Sequence, residues 1–95
     1  MVNYYRRMLG GRYGAGLSVI YAVLPANGAK PDPDPVPVVA GFPAGWRPTE
    51  HPGQCLRDPA SDAEYYLTAV PRRLFRKYEA VSEADALAQY PELPR

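Results

Sequence analysis

Apolar residues along this chain gather into one long run, interrupted by Ser18 alone, and several short alternating ones. The long run, LSVIYAVL from Leu17 to Leu24, lies between the glycines of GGRYGAG and Pro25. Extended, it would put Leu17, Val19, Tyr21 and Val23 on one face and Ile20, Ala22 and Leu24 on the other. An apolar set on both faces predicts a central strand covered on two sides. A buried helix is the rival, but Pro25 would halt it after about two turns.

Downstream, EYYLTAV predicts a strand over Glu64–Val70, entered through a short helical turn at Pro59–Ala63 that Asp58 would cap. PRR would then turn the chain into a further strand, Leu74–Ala80. The helix signal falls at the end: Ser82 stands as the cap, Asp85 follows three residues on, EADALAQY supplies helix formers, and Pro91 stops the run. A helix over Glu83–Tyr90 is expected. Tyr4–Leu9 fits either a helical turn or a strand, and GGRYGAG reads as a bend. The pattern as a whole predicts a small α+β domain: an antiparallel sheet of about three strands, a C-terminal helix, and a long Pro/Gly-rich excursion over residues 29–59.

That excursion opens with AKPDPDPVPVV, which places proline at positions 31, 33, 35 and 37. In an extended chain, successive residues turn their backbone groups to opposite edges, so these alternate prolines strip donors from one edge alone. The other edge keeps the N–H and C=O of Asp32, Asp34, Val36 and Val38. Such a segment is stiff and pairs on one side only. It suits an arm that adds to another protein through Asp32, Asp34 and Val36, or else a spacer or an edge strand packed on the chain's own sheet. A proline-binding module is a poorer match, because the track repeats every second residue. Beyond it, residues 44–59 carry Pro43, Pro48, Pro52 and Pro59 around or within them and offer no periodic element.

Composition sharpens this picture in a few places. The 95 residues suffice for one small core, and 46% hydrophobic with 22% charged residues is ordinary globular usage. A net charge of +1 hides a dipole. Residues 1–30 carry Arg6, Arg7, Arg12 and Lys30 with no acid, whereas residues 31–70 carry Asp32, Asp34, Glu50, Asp58, Asp62 and Glu64 against Arg47 and Arg57. A dipole can steer a charged partner but is not the uniform basic stripe of a dedicated nucleic-acid binder. Cys55 is the single cysteine, so no internal disulfide can staple the fold and a reducing, cytoplasmic setting is expected. The basic N-terminus before AGLSVIYAVL has the outline of a signal peptide, but the apolar run is too short to span a membrane.

Few residues suggest chemistry. His51 and Cys55, with Glu50 and Asp58 nearby, fall short of the ligand set of a zinc site and lack the third group that a Cys–His nucleophile needs. The glycines of GGRYGAG precede the strand, whereas phosphate-cradling loops follow one. Neither a catalytic residue, a metal nor a cofactor is therefore expected. Two basic-aromatic clusters remain, one at residues 4–13 with Tyr4, Tyr5, Arg6 and Arg7, the other at residues 72–78 with Arg72, Arg73, Arg76 and Lys77. Tyrosine, arginine and tryptophan are the residues that concentrate binding energy at protein interfaces. The expectation is a non-enzymatic protein-binding module: a small subunit of a virion or an enzyme complex, or an inhibitor that docks on one. Its contacts would be Asp32, Asp34, Val36, Trp46, Tyr4, Tyr5, Arg6, Arg7, Arg72 and Arg73. The alternative is a nucleic-acid-binding module that uses the two basic-aromatic clusters.

Overall fold

A computed structural model describes residues 2–8, 17–25, 33–43 and 63–95. Five antiparallel strands form one sheet: β1 (Asn3–Met8), β2 (Ser18–Val23), β3 (Val36–Pro43), β4 (Ala63–Val70) and β5 (Glu79–Val81). Their spatial order is β4-β3-β2-β1-β5. A 3-10 helix, Arg72–Lys77, connects β4 to β5, and a short helix α1, Glu83–Gln89, follows β5. The fold is thus mostly sheet.

The long apolar run occupies the middle of this sheet as β2, where Val19, Ile20 and Ala22 are fully buried. Alternation along the strands divides the core in two. On one face Tyr4, Ile20, Ala22, Val39 and Tyr65 lie beneath Ala86, Tyr90 and Leu93. On the other, Val19, Tyr21, Val36, Val38, Ala40, Phe42, Tyr66 and Val70 meet Leu74, Phe75 and Tyr78. Each fully buried aliphatic side chain contributes about 1.5–3 kcal/mol relative to exposure. The C-terminal helix forms where its cap signal places it, the Ser82 hydroxyl accepting from the Asp85 N–H at 3.2 Å.

Three expectations need correction. A sheet of about three strands is an undercount. The predicted strand Leu74–Ala80 is instead the 3-10 helix followed by β5. Its apolar positions, 74, 75 and 78, have helical spacing; a strand would have turned Arg76 to the same face as Leu74 and Tyr78. Nor do β4 and β5 form a hairpin. They lie at opposite edges of the sheet, and the 3-10 helix carries the chain across one face between them.

The third correction concerns the excursion over residues 29–59, which contributes an interior strand. β3 pairs with β4 on one side, Val36 opposite Val70 through Pro43 opposite Ala63, and with β2 on the other, Val38 opposite Val23 through Gly41 opposite Ile20. Pro37 is compatible with this position for a geometric reason. Its carbonyl accepts from the Leu24 N–H at 3.3 Å, so its missing N–H faces β2 just past the last paired residue of that strand. The backbone of Val36 and Val38 turns the other way, toward β4. The one-edged logic of the proline track therefore holds from residue 36 onward, and the edge it preserves is taken by the chain's own sheet. The predicted helical turn at Pro59–Ala63 lies outside the described residues apart from Ala63, which begins β4.

Gly41 answers a different constraint. The Tyr90 ring lies against its backbone so closely that a Cβ there would stand 2.8 Å from Tyr90 Cγ. The glycine is a close-approach residue.

Candidate docking surface

The alternation of β1 sends neighbouring members of YYRR to opposite faces. Tyr4 goes under α1, where it is buried and its hydroxyl donates to the Pro94 carbonyl at 2.7 Å and lies 3.5 Å from Glu83 Oε1. Burial, and after it the Glu83 carboxylate, raises the Tyr4 pKa. Tyr4 therefore belongs to the chain's own core. Arg6 pairs with Glu79 at 3.3 Å across the β1–β5 register. An exposed pair of this kind contributes roughly 0–1 kcal/mol.

Tyr5 and Arg7 project to the other face, where Tyr5 meets the 3-10 helix. The Tyr5 and Phe75 rings sit 4.7 Å apart, Phe75 and Tyr78 6.1 Å apart edge to face, and Tyr78 stacks on Tyr21 at 5.4 Å. Arg7 donates to the Tyr21 hydroxyl at 3.4 Å. Desolvation, followed by the neighbouring Tyr21, raises the Tyr78 pKa, while Arg7 opposes the rise. The four rings form a chain of contacts that pins the 3-10 helix to the sheet, and each such pair adds about 0.5–1.5 kcal/mol beyond its buried area.

The helix thus has an anchored side and a wet side. Leu74 and Phe75 are half-buried, whereas Arg72, Arg73, Arg76 and Lys77 are exposed. Arg72 is engaged at the start of the helix. Its backbone N–H donates to Asp34 Oδ1 at 3.1 Å, and its guanidinium donates to the Pro33 carbonyl at 2.9 Å. Arg73, Arg76 and Lys77 have no hydrogen-bond or ion-pair partner among the described residues. They form a basic row on a rigid support.

The sequence-derived candidates divide accordingly. Arg72 and Arg73 lie on this surface, with Tyr5, Arg6 and Arg7 in the strand that supports it or beside its edge. Asp34 is bound to Arg72, and Val36 is buried as the first residue of β3. Instead of reaching out as an arm, the stretch from Asp34 onward is tied to the chain's own 3-10 helix and sheet. Asp32 and Trp46, like His51 and Cys55, lie outside the described residues. Among the described residues no group of His, Cys, Asp and Glu could hold a metal ion, and no helix is long and apolar enough to cross a membrane. Sequence reasoning missed the roles of Tyr21, Phe75 and Tyr78, although the helical spacing of positions 74, 75 and 78 was the signal. No protein-family model, curated protein or solved structure matches the chain.

Proposed function

We propose that the chain is a non-enzymatic binding protein that docks on an acidic surface of a larger protein assembly, as an accessory subunit or inhibitor, through the basic row of its 3-10 helix. One observation carries this reading. Arg73, Arg76 and Lys77 are exposed and unpaired among the described residues, on a short helix whose opposite side is held by aromatic contacts. A pre-positioned cationic row loses less entropy on docking than the same residues on a loose loop. It also steers an acidic partner toward the encounter.

A second reading, single-stranded nucleic-acid binding, draws on the convergence of the two basic-aromatic clusters, which the Tyr5–Phe75 contact joins. The rings speak against it: Tyr21 is buried, and Tyr5, Phe75 and Tyr78 spend their faces and edges on one another rather than on a platform for bases. The two readings separate in an affinity capture from source extract, using the wild-type chain and an Arg73→Glu/Arg76→Glu/Lys77→Glu variant. Docking on protein predicts discrete protein partners that survive nuclease treatment and vanish with the variant. Capture that disappears on nuclease treatment would overturn the proposal in favour of the second reading.

A further inference from the structure

The geometry of the basic row specifies the shape of what it takes. In a 3-10 helix residues three apart are eclipsed and each residue rises about 2.0 Å, so Arg73 and Arg76 stand above one another, roughly 6 Å apart along the axis. In an extended peptide, residues two apart point the same way and are spaced by about 6.4–6.8 Å. Carboxylates on alternate residues of an extended segment would therefore meet the two guanidinium groups in step. Adjacent carboxylates would not, since they point to opposite sides.

The start of the same helix already binds a carboxylate and a main-chain carbonyl of the chain itself. Arg72 holds the Pro33–Asp34 segment, where the chain bends, by two different groups, its guanidinium donating to a main-chain carbonyl and its backbone N–H donating to the carboxylate. A helical acidic segment can also place carboxylates at about this spacing, at positions four apart. Its interior carbonyls, however, are already used by its own hydrogen bonds. An extended segment leaves them free for a guanidinium.

Accepting that this surface docks a protein, we propose that the segment it binds is an extended acidic peptide with carboxylates on alternate residues, one on Arg73 and the next on Arg76. Lys77, eclipsed with the half-buried Leu74, adds attraction without registering the spacing.

The test uses the full chain and three labelled peptides of equal length and charge, read by fluorescence anisotropy. Each carries two aspartates: one has them on alternate residues, one has them contiguous as an adjacent pair, and one is helix-forming with the two four apart. A single-stranded oligonucleotide of equal charge is the fourth probe. The alternating peptide should bind about three- to fivefold tighter than the contiguous one, the equivalent of one exposed ion pair. That preference should vanish in Arg73→Ala and in Arg76→Ala and persist in Lys77→Ala, with unchanged thermal midpoints, since all three side chains are exposed. Equal binding of the alternating and contiguous peptides, with the arginine dependence retained, would overturn the spacing inference and leave acidic docking standing. Tightest binding of the helix-forming peptide would replace the extended partner by a helical one. Tightest binding of the oligonucleotide, or binding of all probes indifferent to the triple Glu variant, would overturn both this inference and the docking proposal beneath it.

Discussion

Replacing Gly41 by alanine should destabilise the fold by about 1–3 kcal/mol, although a surplus glycine in a strand is ordinarily improved by alanine. Removing the extra freedom of glycine in the unfolded chain is worth about 0.4–1 kcal/mol in favour of alanine. Against this stands the Tyr90 ring, with Cγ, Cδ1 and Cδ2 at 2.8, 3.0 and 3.1 Å from where the new Cβ would be. Restoring an ordinary carbon contact of about 3.5 Å from a starting distance of 2.8 Å requires a retreat of about 0.7 Å. The ring has little room to retreat. It is 3% exposed, its hydroxyl donates to the Ser18 carbonyl, and the Tyr65 ring meets it edge-on at 6.1 Å. Overpacking of this kind costs about 1–3 kcal/mol, and displacing the hydroxyl from Ser18 adds about 0.5–1.5 kcal/mol. Urea unfolding followed by circular dichroism would measure the difference. A double-mutant cycle with Tyr90→Ala, run in a stabilising osmolyte because that change is itself costly, isolates the clash. Without the ring, Gly41→Ala should become neutral or stabilising. A Gly41→Ala chain as stable as the parent would refute the account of why this residue is glycine.

Burial pushes the Tyr90 pKa up to about 12 from its ordinary 10. Its contribution is therefore complete below pH 10 and is lost as pH rises from 10 to 12, by up to roughly 2–3 kcal/mol at about 1.4 kcal/mol per pKa unit. Urea midpoints across that window should fall, Tyr90→Phe should flatten the fall, and a midpoint independent of pH from 10 to 12 would contradict the assignment. At the other end of α1, Ser82→Ala should cost about 1 kcal/mol and Ser82→Gly only a few tenths; equal melting midpoints for parent and Ser82→Ala would mean that the cap contributes nothing.

The elements legible in the sequence were those whose local signals and tertiary demands agree. β2 is apolar on both faces because both faces are covered, and α1 follows a cap whose hydrogen bond is present. β4 begins one residue before its expected start and ends where expected. β3 was hidden because Pro37, Gly41 and Pro43 each lower strand propensity, while each is accommodated by a feature of the partners: the early end of β2, the ring of Tyr90, and the end of the strand itself. The 3-10 helix was hidden because LFRKYEA is rich in residues that also form strands, and its docking on the far face is a tertiary fact. The basic and aromatic composition of the surface was readable from residues 4–7 and 72–78. Which arginines stay free was not, since Arg6, Arg7 and Arg72 are engaged by Glu79, Tyr21 and the Pro33–Asp34 segment, all far from them along the chain.

The insertion of β1 between β2 and β5 has a consequence for how the molecule comes into being. Tyr4 of this early strand is hydrogen-bonded to Pro94, and Tyr4, Tyr5 and Arg6 pair with Val81, Ala80 and Glu79. Contacts this distant in sequence raise contact order, and folding slows as contact order rises. During synthesis at about 5–20 residues per second, β1 and β2 exist for several seconds before β5 is made. Wherever β1 pairs with β2 in that interval, its outer edge offers unpaired backbone groups, with the guanidinium of Arg6 on the same strand before Glu79 exists to meet it. A charge on a waiting edge is one of the means by which strands discourage pairing with the wrong chain. Arg6, whose pair with Glu79 adds little to the finished molecule, would then matter most before that pair forms.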